Sequence, residues 1–389
     1  MIPYSRQNID KSDIESVLEV LKSDYITQGP KTPLFESKLS EKFDAKYAIA
    51  VNNATSALHL ACLSLGVTKN DIVWTSTITF VASANCARYC GAEIDLIDID
   101  SNNFNISTDK LEEKLKKAKK KNRLPKVLIP VHLAGNPCEM ERIYNLSKEY
   151  GFKIIEDASH AMGARYKNSK IGSCKYSDIT VFSFHPVKMI TTAEGGVCLT
   201  NNKELHDKIY NLRSHGIIRS NYTNPNENHG PWYYEQTELG FNYRLNDILS
   251  ALGISQLDRL DSFIKKRNKL ANYYLNKLKE NKFLIPQIIN KQDLSSYHLF
   301  IVKIDKSHFE SRLNLFEKLR GEGYFVNIHY IPIYKHPYYS KMFDKKDFSN
   351  SEEYYSSCIS LPLYPNLDET EIDKVINILS SDQGYQTIF

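Results

Sequence analysis

VLIPVHLAGNPCEMERIYNLSKEYGFKIIED, residues 127–157, reads as one complete strand–helix–strand unit. The runs VLIPVHL (127–133) and KIIED (153–157) are apolar and of strand length. Between them, CEMERIYNLSKEYG (138–151) repeats its apolar residues at helical spacing and stops on a glycine. The same alternation continues in both directions. Toward the N-terminus come the strands EIDLIDID (93–100), IVWTS (72–76) and AIAVN (48–52). Each is followed by a helical pattern: TDKLEEKLKKAKKK (108–121), which Thr108 or Asp109 would cap, TFVASANCARYCG (79–91) and ATSALHLACLSLG (54–66). Toward the C-terminus follow DITVFSF (178–184) and GVCLT (196–200). Strands alternating with helices imply an α/β fold with a mainly parallel central sheet covered by helices. Such a sheet places its chemistry at the carboxyl ends of the strands.

After about residue 250 the pattern changes. One long helical stretch, 248–281, leads to the strand HLFIVKI (298–304), the helix SRLNLFEKLRGEG (311–323), the strand FVNIHYIP (325–332) and the helix ETEIDKVINILSS (369–381). The expected division is therefore 1–250, a large domain with its N-terminal segment, and 251–389, a linking helix and a smaller α+β domain. The length of 389 residues agrees with it, since a single core rarely grows past about 250–300 residues. The stretch RSNYTNPNENHGPWYYEQTE (219–238) has no period and reads either as a surface loop or as an aromatic flap over a site.

Composition narrows the function classes. Fifty basic against forty-six acidic residues leave a net charge of +4, too weak for a nucleic-acid partner. Hydrophobic residues are 42%, the mean hydropathy is −0.42, and no apolar run is long enough to cross a bilayer. The opening MIPYSRQNIDKSD lacks a basic and then apolar secretory pattern, so a cytoplasmic protein without a membrane partner is expected. The seven cysteines form no CxxC pair and read as reduced thiols. Cys86 and Cys90 share a helix face and read as small core residues, so no metal site is expected. The run Lys114–Lys121 reads as the solvated face of a helix.

Three strand ends carry chemistry. In FSFHPVKMITTAEGG (182–196) the strand ends at Phe184, Pro186 forces a turn, and Lys188 stands beside a glycine pair. A lysine held against a packed sheet can lose its proton and act as an amine nucleophile; a plain surface lysine is the alternative. Ser183 adds a hydroxyl suited to an anion. In KIIEDASHAMGA (153–164) Asp157 is either a carboxylate facing a ligand or a helix N-cap. In VNNATSALHLA (51–61) Thr55 and Ser56 open a helix after Asn53, which makes a ready phosphate site as well as an ordinary cap. A phosphate cradle, a carboxylate and a lysine on one sheet are the groups that pyridoxal 5′-phosphate needs for its phosphate, ring nitrogen and aldehyde. A nicotinamide-dependent dehydrogenase would need GxGxxG after the first strand, and the chain has none. A binding protein without activity is a further reading.

With these residues in place the sequence resembles the sugar aminotransferases of the DegT/DnrJ/EryC1/StrS family. The resemblance runs from LKSDYITQGPKTPLFE (21–36) through NATSALHLA, EDASHAMGA, SFHPVK and GFNYRLNDILSALGISQL (240–257). It continues to IHYIPIYKHPYY (328–339) and SLPLYPNLDETEID (360–373). It implies fold type I of the pyridoxal-phosphate enzymes, the aspartate aminotransferase-like fold, and a homodimer with shared active sites. IPYSRQ at the start, His160 and the string around Lys188 are most similar to the branch that serves pseudaminic acid synthesis, with Met189 where that branch usually has proline. The resemblance therefore implies amination of a UDP-linked 4-keto sugar, with L-glutamate as donor, by ping-pong Schiff-base chemistry. A dTDP- or GDP-linked sugar is the alternative. The related sugar dehydratases carry His in place of the lysine, and Lys188 argues against them.

The roles implied by the resemblance fall on named positions. Lys188 would bond the cofactor aldehyde, Asp157 would pair with its ring nitrogen, and His160 would contact its ring oxygen. Phe80 would stack on the ring, while Thr55, Ser56 and Ser183 would bind the phosphate. Asn242, with Arg244 nearby, would reach the phosphate of the neighbouring subunit. Tyr4, Gln28, His329 and Tyr330 would line the sugar site.

Overall fold

The computed structural model describes residues 1–220, 222–223, 230–281, 283–305 and 312–381. The alternation of the first half becomes a seven-stranded sheet: β1 (Tyr47–Val51), β2 (Ile72–Ser76), β3 (Glu93–Ile97), β4 (Val127–Ile129), β5 (Lys153–Asp157), β6 (Ile179–Ser183) and β7 (Gly196–Thr200). The order across it is β1-β7-β6-β5-β4-β2-β3. Only β7 runs against its neighbours, antiparallel to both β1 and β6, so the sheet is mainly parallel. β4 is shorter than the 127–133 expected. Pro130 has no N–H to give the ladder, and beyond it only an isolated bridge from Val131 to Asp157 continues the pairing.

The pleat sends alternate side chains to opposite faces, and both faces are buried. Ile154 and Phe182 join Leu39 of helix α2 (Lys31–Phe43, which follows α1, Lys11–Leu21). Ile155 and Val181 point the other way, onto Leu58 of α3 (Ala54–Ser64) and Ala87 of α4 (Ala82–Tyr89). Leu111 and Leu115 of α5 (Thr108–Lys120) and Ile143 and Leu146 of α6 (Met140–Tyr150) cover the first face. Ile209 and Leu212 of α7 (Lys203–Leu212) cover the second. The cap of α5 is Ser107, whose hydroxyl accepts from the Lys110 N–H, rather than Thr108 or Asp109. Thr108 spends its hydroxyl on Glu139 instead. Lys114 and Lys116 of the basic run pair with Asp95 and Glu112.

The long helical stretch after 247 is two helices, α8 (Asp247–Asp258) and α9 (Leu260–Lys277), which meet at Arg259. The expected boundary at 250/251 falls inside α8, which packs on α1 and α2. α9 is shared: Leu260, Phe263 and Ile264 enter the core under the large sheet, while Leu270, Ala271 and Tyr274 enter a separate apolar cluster. That cluster holds a three-stranded antiparallel sheet, β8 (Leu284–Pro286), β9 (Phe300–Ile304) and β10 (Cys358–Leu361), with α10 (Arg312–Gly321) and, beyond α11 (Ser349–Ser357), α12 (Glu369–Ser381). The strand expected at 325–332 shrinks to Tyr324–Phe325. These two residues pair in parallel with Ile2–Pro3, so the N-terminus is laid along this second unit. In the stretch 219–238, residues 221 and 224–229 lie outside the described residues. Ile217–Ile218 pairs with Glu235–Gln236 beside it.

Candidate active site

The carboxyl ends of β5 and β6, the N-terminus of α3 and the 327–330 segment converge on one cavity of about 880 Å³. Thr55, Ser56, Phe80, Asp157, His160, Ser183 and Lys188 all line it, as do Tyr4, His329 and Tyr330. Gln28, Asn242 and Arg244 do not. Gln28 and Asn242 are exposed elsewhere on the chain, and Arg244 makes an isolated bridge to Val51 at the end of β1.

Lys188 is presented by a turn in which its N–H donates to the His185 carbonyl at 2.9 Å. The turn is braced from behind: the Thr191 hydroxyl and the Thr192 N–H both donate to the Phe184 carbonyl, each at 3.0 Å. The cavity is a poor medium for an ammonium. Burial pulls Lys188 down to about 8, and the charge of Asp157 opposes the shift in part. Lys188 is half-buried and lines the cavity, unlike a plain surface lysine.

Asp157 ends β5, and no helix follows it, so it is not a helix cap. One carboxylate oxygen accepts the Ser159 N–H at 3.1 Å and the other accepts the Ser83 hydroxyl at 2.6 Å. Ser83, from α4, is fully buried and is a residue the motif reading passed over, although it sits in the TFVAS string only three places after Phe80. Phe80 itself is 55% exposed and presents its ring on the cavity wall, 6.0 Å from the ring of Tyr330.

His160 is buried, and its Nδ1 accepts the Ala134 N–H at 3.2 Å. The ring proton therefore sits on Nε2, which donates to the Tyr330 hydroxyl at 2.9 Å. Burial above all, with Lys188 nearby, holds His160 well below the ordinary imidazole range, so it is neutral. His329 is also neutral: burial and Lys188 push it down to about 3, and Ser360 bonds its Nδ1 at 2.8 Å. Two more histidines escaped the motif reading. His298 packs 4.4 Å from the His160 ring, and His59 lines the cavity beside Tyr243. Only the folded chain brings these distant positions together, so no local spacing marks them.

At the other end, Asn53 caps α3 by accepting the Ser56 N–H at 2.8 Å. Helix geometry leaves the first N–H groups of α3 aimed outward, beside the Thr55 and Ser56 hydroxyls and facing Ser183. The helix approaches this closely because β7 begins with glycine: a Cβ on Gly196 would stand 2.7 Å from Asn53 and Ala54. Donors for a dianion, a carboxylate, a nucleophilic amine and an exposed aromatic face fit an aromatic aldehyde that carries a phosphate. Among the described residues no cluster of His, Cys, Asp or Glu is arranged to hold a metal ion, and no helix is long and apolar enough to cross a membrane.

Comparison with known proteins agrees with this geometry. The model of the DegT/DnrJ/EryC1/StrS aminotransferase family matches residues 7–380. A Campylobacter jejuni UDP-4-amino-4,6-dideoxy-N-acetyl-beta-L-altrosamine transaminase is 41% identical over 368 residues, covering 95% of this chain and 94% of that protein. Among solved structures, Helicobacter pylori PseC is an aminotransferase involved in the biosynthesis of pseudoaminic acid. It aligns with a TM-score of 0.90 at 33% identity, over 98% of this chain and 99% of that one. The PLP-form of Spr1654 from Streptococcus pneumoniae, a sugar aminotransferase by description, aligns with a TM-score of 0.88 at 28% identity, over 98% of each chain. The sheet order, the single antiparallel strand and these likenesses make the fold type I of the pyridoxal-phosphate enzymes. The chain belongs to the DegT/DnrJ/EryC1/StrS family and is an aminotransferase.

Proposed function

We propose that this aminotransferase holds pyridoxal 5′-phosphate in the cavity and aminates the 4-keto group of a UDP-linked 4-keto-6-deoxy-N-acetyl sugar, with L-glutamate as donor. The observation that carries the cofactor reading is the convergence of Lys188, Asp157 and the α3 N-terminus on one cavity. The 41% identity to a transaminase of that sugar class supports the substrate. Lys188 would bond the aldehyde, Asp157 the ring nitrogen, Phe80 the ring face, and Thr55, Ser56 and Ser183 the phosphate. When bound, the cofactor supplies an electron-accepting ring and a carbonyl that carries the amino group from donor to acceptor.

This chain's own residues then do three things. Lys188 Nζ is neutral above about pH 8, so it can take the proton from the donor α-carbon and later give one to C4 of the sugar. Asp157 stays an acceptor because two donors already bond its oxygens. His160 and Tyr330 form a neutral, hydrogen-bonded wall that brings no competing charge near Lys188. Tyr4 packs edge-on at 4.8 Å over His329 and, with it, shields the reacting face from water. The test is mass spectrometry of products from a panel of UDP- and dTDP-linked 4-keto sugars with glutamate, with Lys188→Ala as the blank. We expect amination of the UDP sugar only; amination of only the dTDP sugar would overturn the substrate reading.

A further inference from the structure

Asp157 does not stand alone on the cavity wall. Its Oδ2 accepts the Ser83 hydroxyl at 2.6 Å, and the Ser83 oxygen lies 2.7 Å from the Thr79 hydroxyl. Both side chains are buried, Ser83 at 0% and Thr79 at 1% exposure. Proton counting fixes the direction of this chain. Ser83 has one hydroxyl proton and gives it to Asp157, so the proton between Ser83 and Thr79 must come from Thr79. The sequence of donors is Thr79 to Ser83 to Asp157, and each bond polarises the next. The Ser159 N–H holds the other carboxylate oxygen. Together the two bonds fix the carboxylate on both sides. Ser83 does not line the cavity, whereas Thr79 and Asp157 do, so Ser83 acts on a bound molecule only through these two neighbours.

We propose that Ser83, bonded in turn to Thr79, is a positioning residue that keeps the Asp157 carboxylate aimed at the ring nitrogen of the cofactor. This rests on the pyridoxal-phosphate reading above. Without the Ser83 hydroxyl the carboxylate loses one of its two anchors, and its hydrogen bond to the protonated ring nitrogen is less well aimed. A ring nitrogen that keeps less of the proton withdraws fewer electrons, and the nitrogen of the Lys188 linkage then binds its own proton more tightly.

The readout is the pH titration of the visible band of the cofactor-loaded enzyme, measured without substrate. Ser83→Ala is expected to move the midpoint upward by about half a pH unit or more, on the scale of a lost hydrogen bond to a charge. Thr79→Val keeps the shape of the side chain and should shift the midpoint in the same direction by less. In both variants kcat should fall while KM for the keto sugar holds. A merely structural role would lower the melting temperature and leave the midpoint in place. Unmoved midpoints in both variants, with a normal band in the wild type, overturn the positioning role. A wild type that takes up no coloured cofactor overturns the pyridoxal-phosphate reading instead, which keeps the two failures apart.

Discussion

Lys188 is the only lysine or arginine among the described residues that line the cavity, and its charge state decides when the site can capture an aldehyde. With the amine drawn down to about 8, each pH unit below that value removes about nine-tenths of the neutral form. Colour formation from apoenzyme and pyridoxal 5′-phosphate should therefore speed up about tenfold between pH 6 and 7 and level off above about 8. A rate still climbing toward the ordinary lysine value would show that the cavity does not shift the amine. Asp157→Asn removes the charge while keeping a side-chain acceptor for the Ser159 N–H, and should cost roughly a hundredfold or more in kcat. Retention of near-normal kcat would remove Asp157 from the ring nitrogen. At this scale the sequence is readable where a motif brings its own context. Asp157 ends a recognisable strand, and Thr55 and Lys188 each follow one within a few residues. Ser83 sits in the TFVAS string but meets Asp157 only in the fold, and nothing in the local pattern of His298 marks its packing on His160.

Among elements, the meeting of β7 with α3 is the tightest constraint on the site. The phosphate cradle exists because Gly196 lets the backbone of Asn53 and Ala54 come closer than any side chain allows. Gly196→Ala must push α3 away, with a cost of about 1–3 kcal/mol typical of overpacking. We expect a lower melting temperature together with at least tenfold weaker cofactor binding, read by equilibrium dialysis. An Ala variant that binds the cofactor normally would separate the glycine from the cradle. The regular elements were legible because apolar periodicity and strand length agree: β2, β5, β7 and α12 have the boundaries expected from it. The misreadings share one cause, which is backbone pairing that the sequence pattern does not display. FVNIHYIP is apolar enough for a strand, but after Phe325 its backbone turns to line the cavity, with only a bridge from Asn327 to Ser360. VLIPVHL is cut at Pro130 by the missing N–H, and 248–281 breaks at Arg259, which ends α8 and opens α9 while its side chain pairs with Asp10 and Asp13.

For the whole molecule, the proposed ligands carry more negative charge than one chain's described lining meets with cations. Both substrates and the cofactor proposed above would be anionic, yet the described lining contains no arginine and one lysine, the one proposed to bond the cofactor. Asn242 and Gln28 stand exposed outside the chain's own cavity. Nearby surface also lacks a partner: α1 exposes Ile14, Leu18 and Leu21 at 54%, 44% and 53%, spaced to form one apolar stripe, and Tyr25 and Ile26 follow at 61% and 51%. We propose a homodimer in which Asn242, and Arg244 beside it, complete the phosphate site of the neighbour. Complementation tests this directly. Lys188→Ala homodimers lack the amine in both sites, and Asn242→Ala homodimers lack the reach across in both. In a hybrid, one site combines the lysine of the Asn242→Ala chain with the asparagine of the Lys188→Ala chain and is whole, while the other carries both defects. Random reassembly makes half of the dimers hybrid, and each has one good site of two, so about a quarter of wild-type activity should return on mixing two nearly inactive proteins. If Asn242 instead served its own chain, every hybrid site would carry one defect, and mixing would restore nothing.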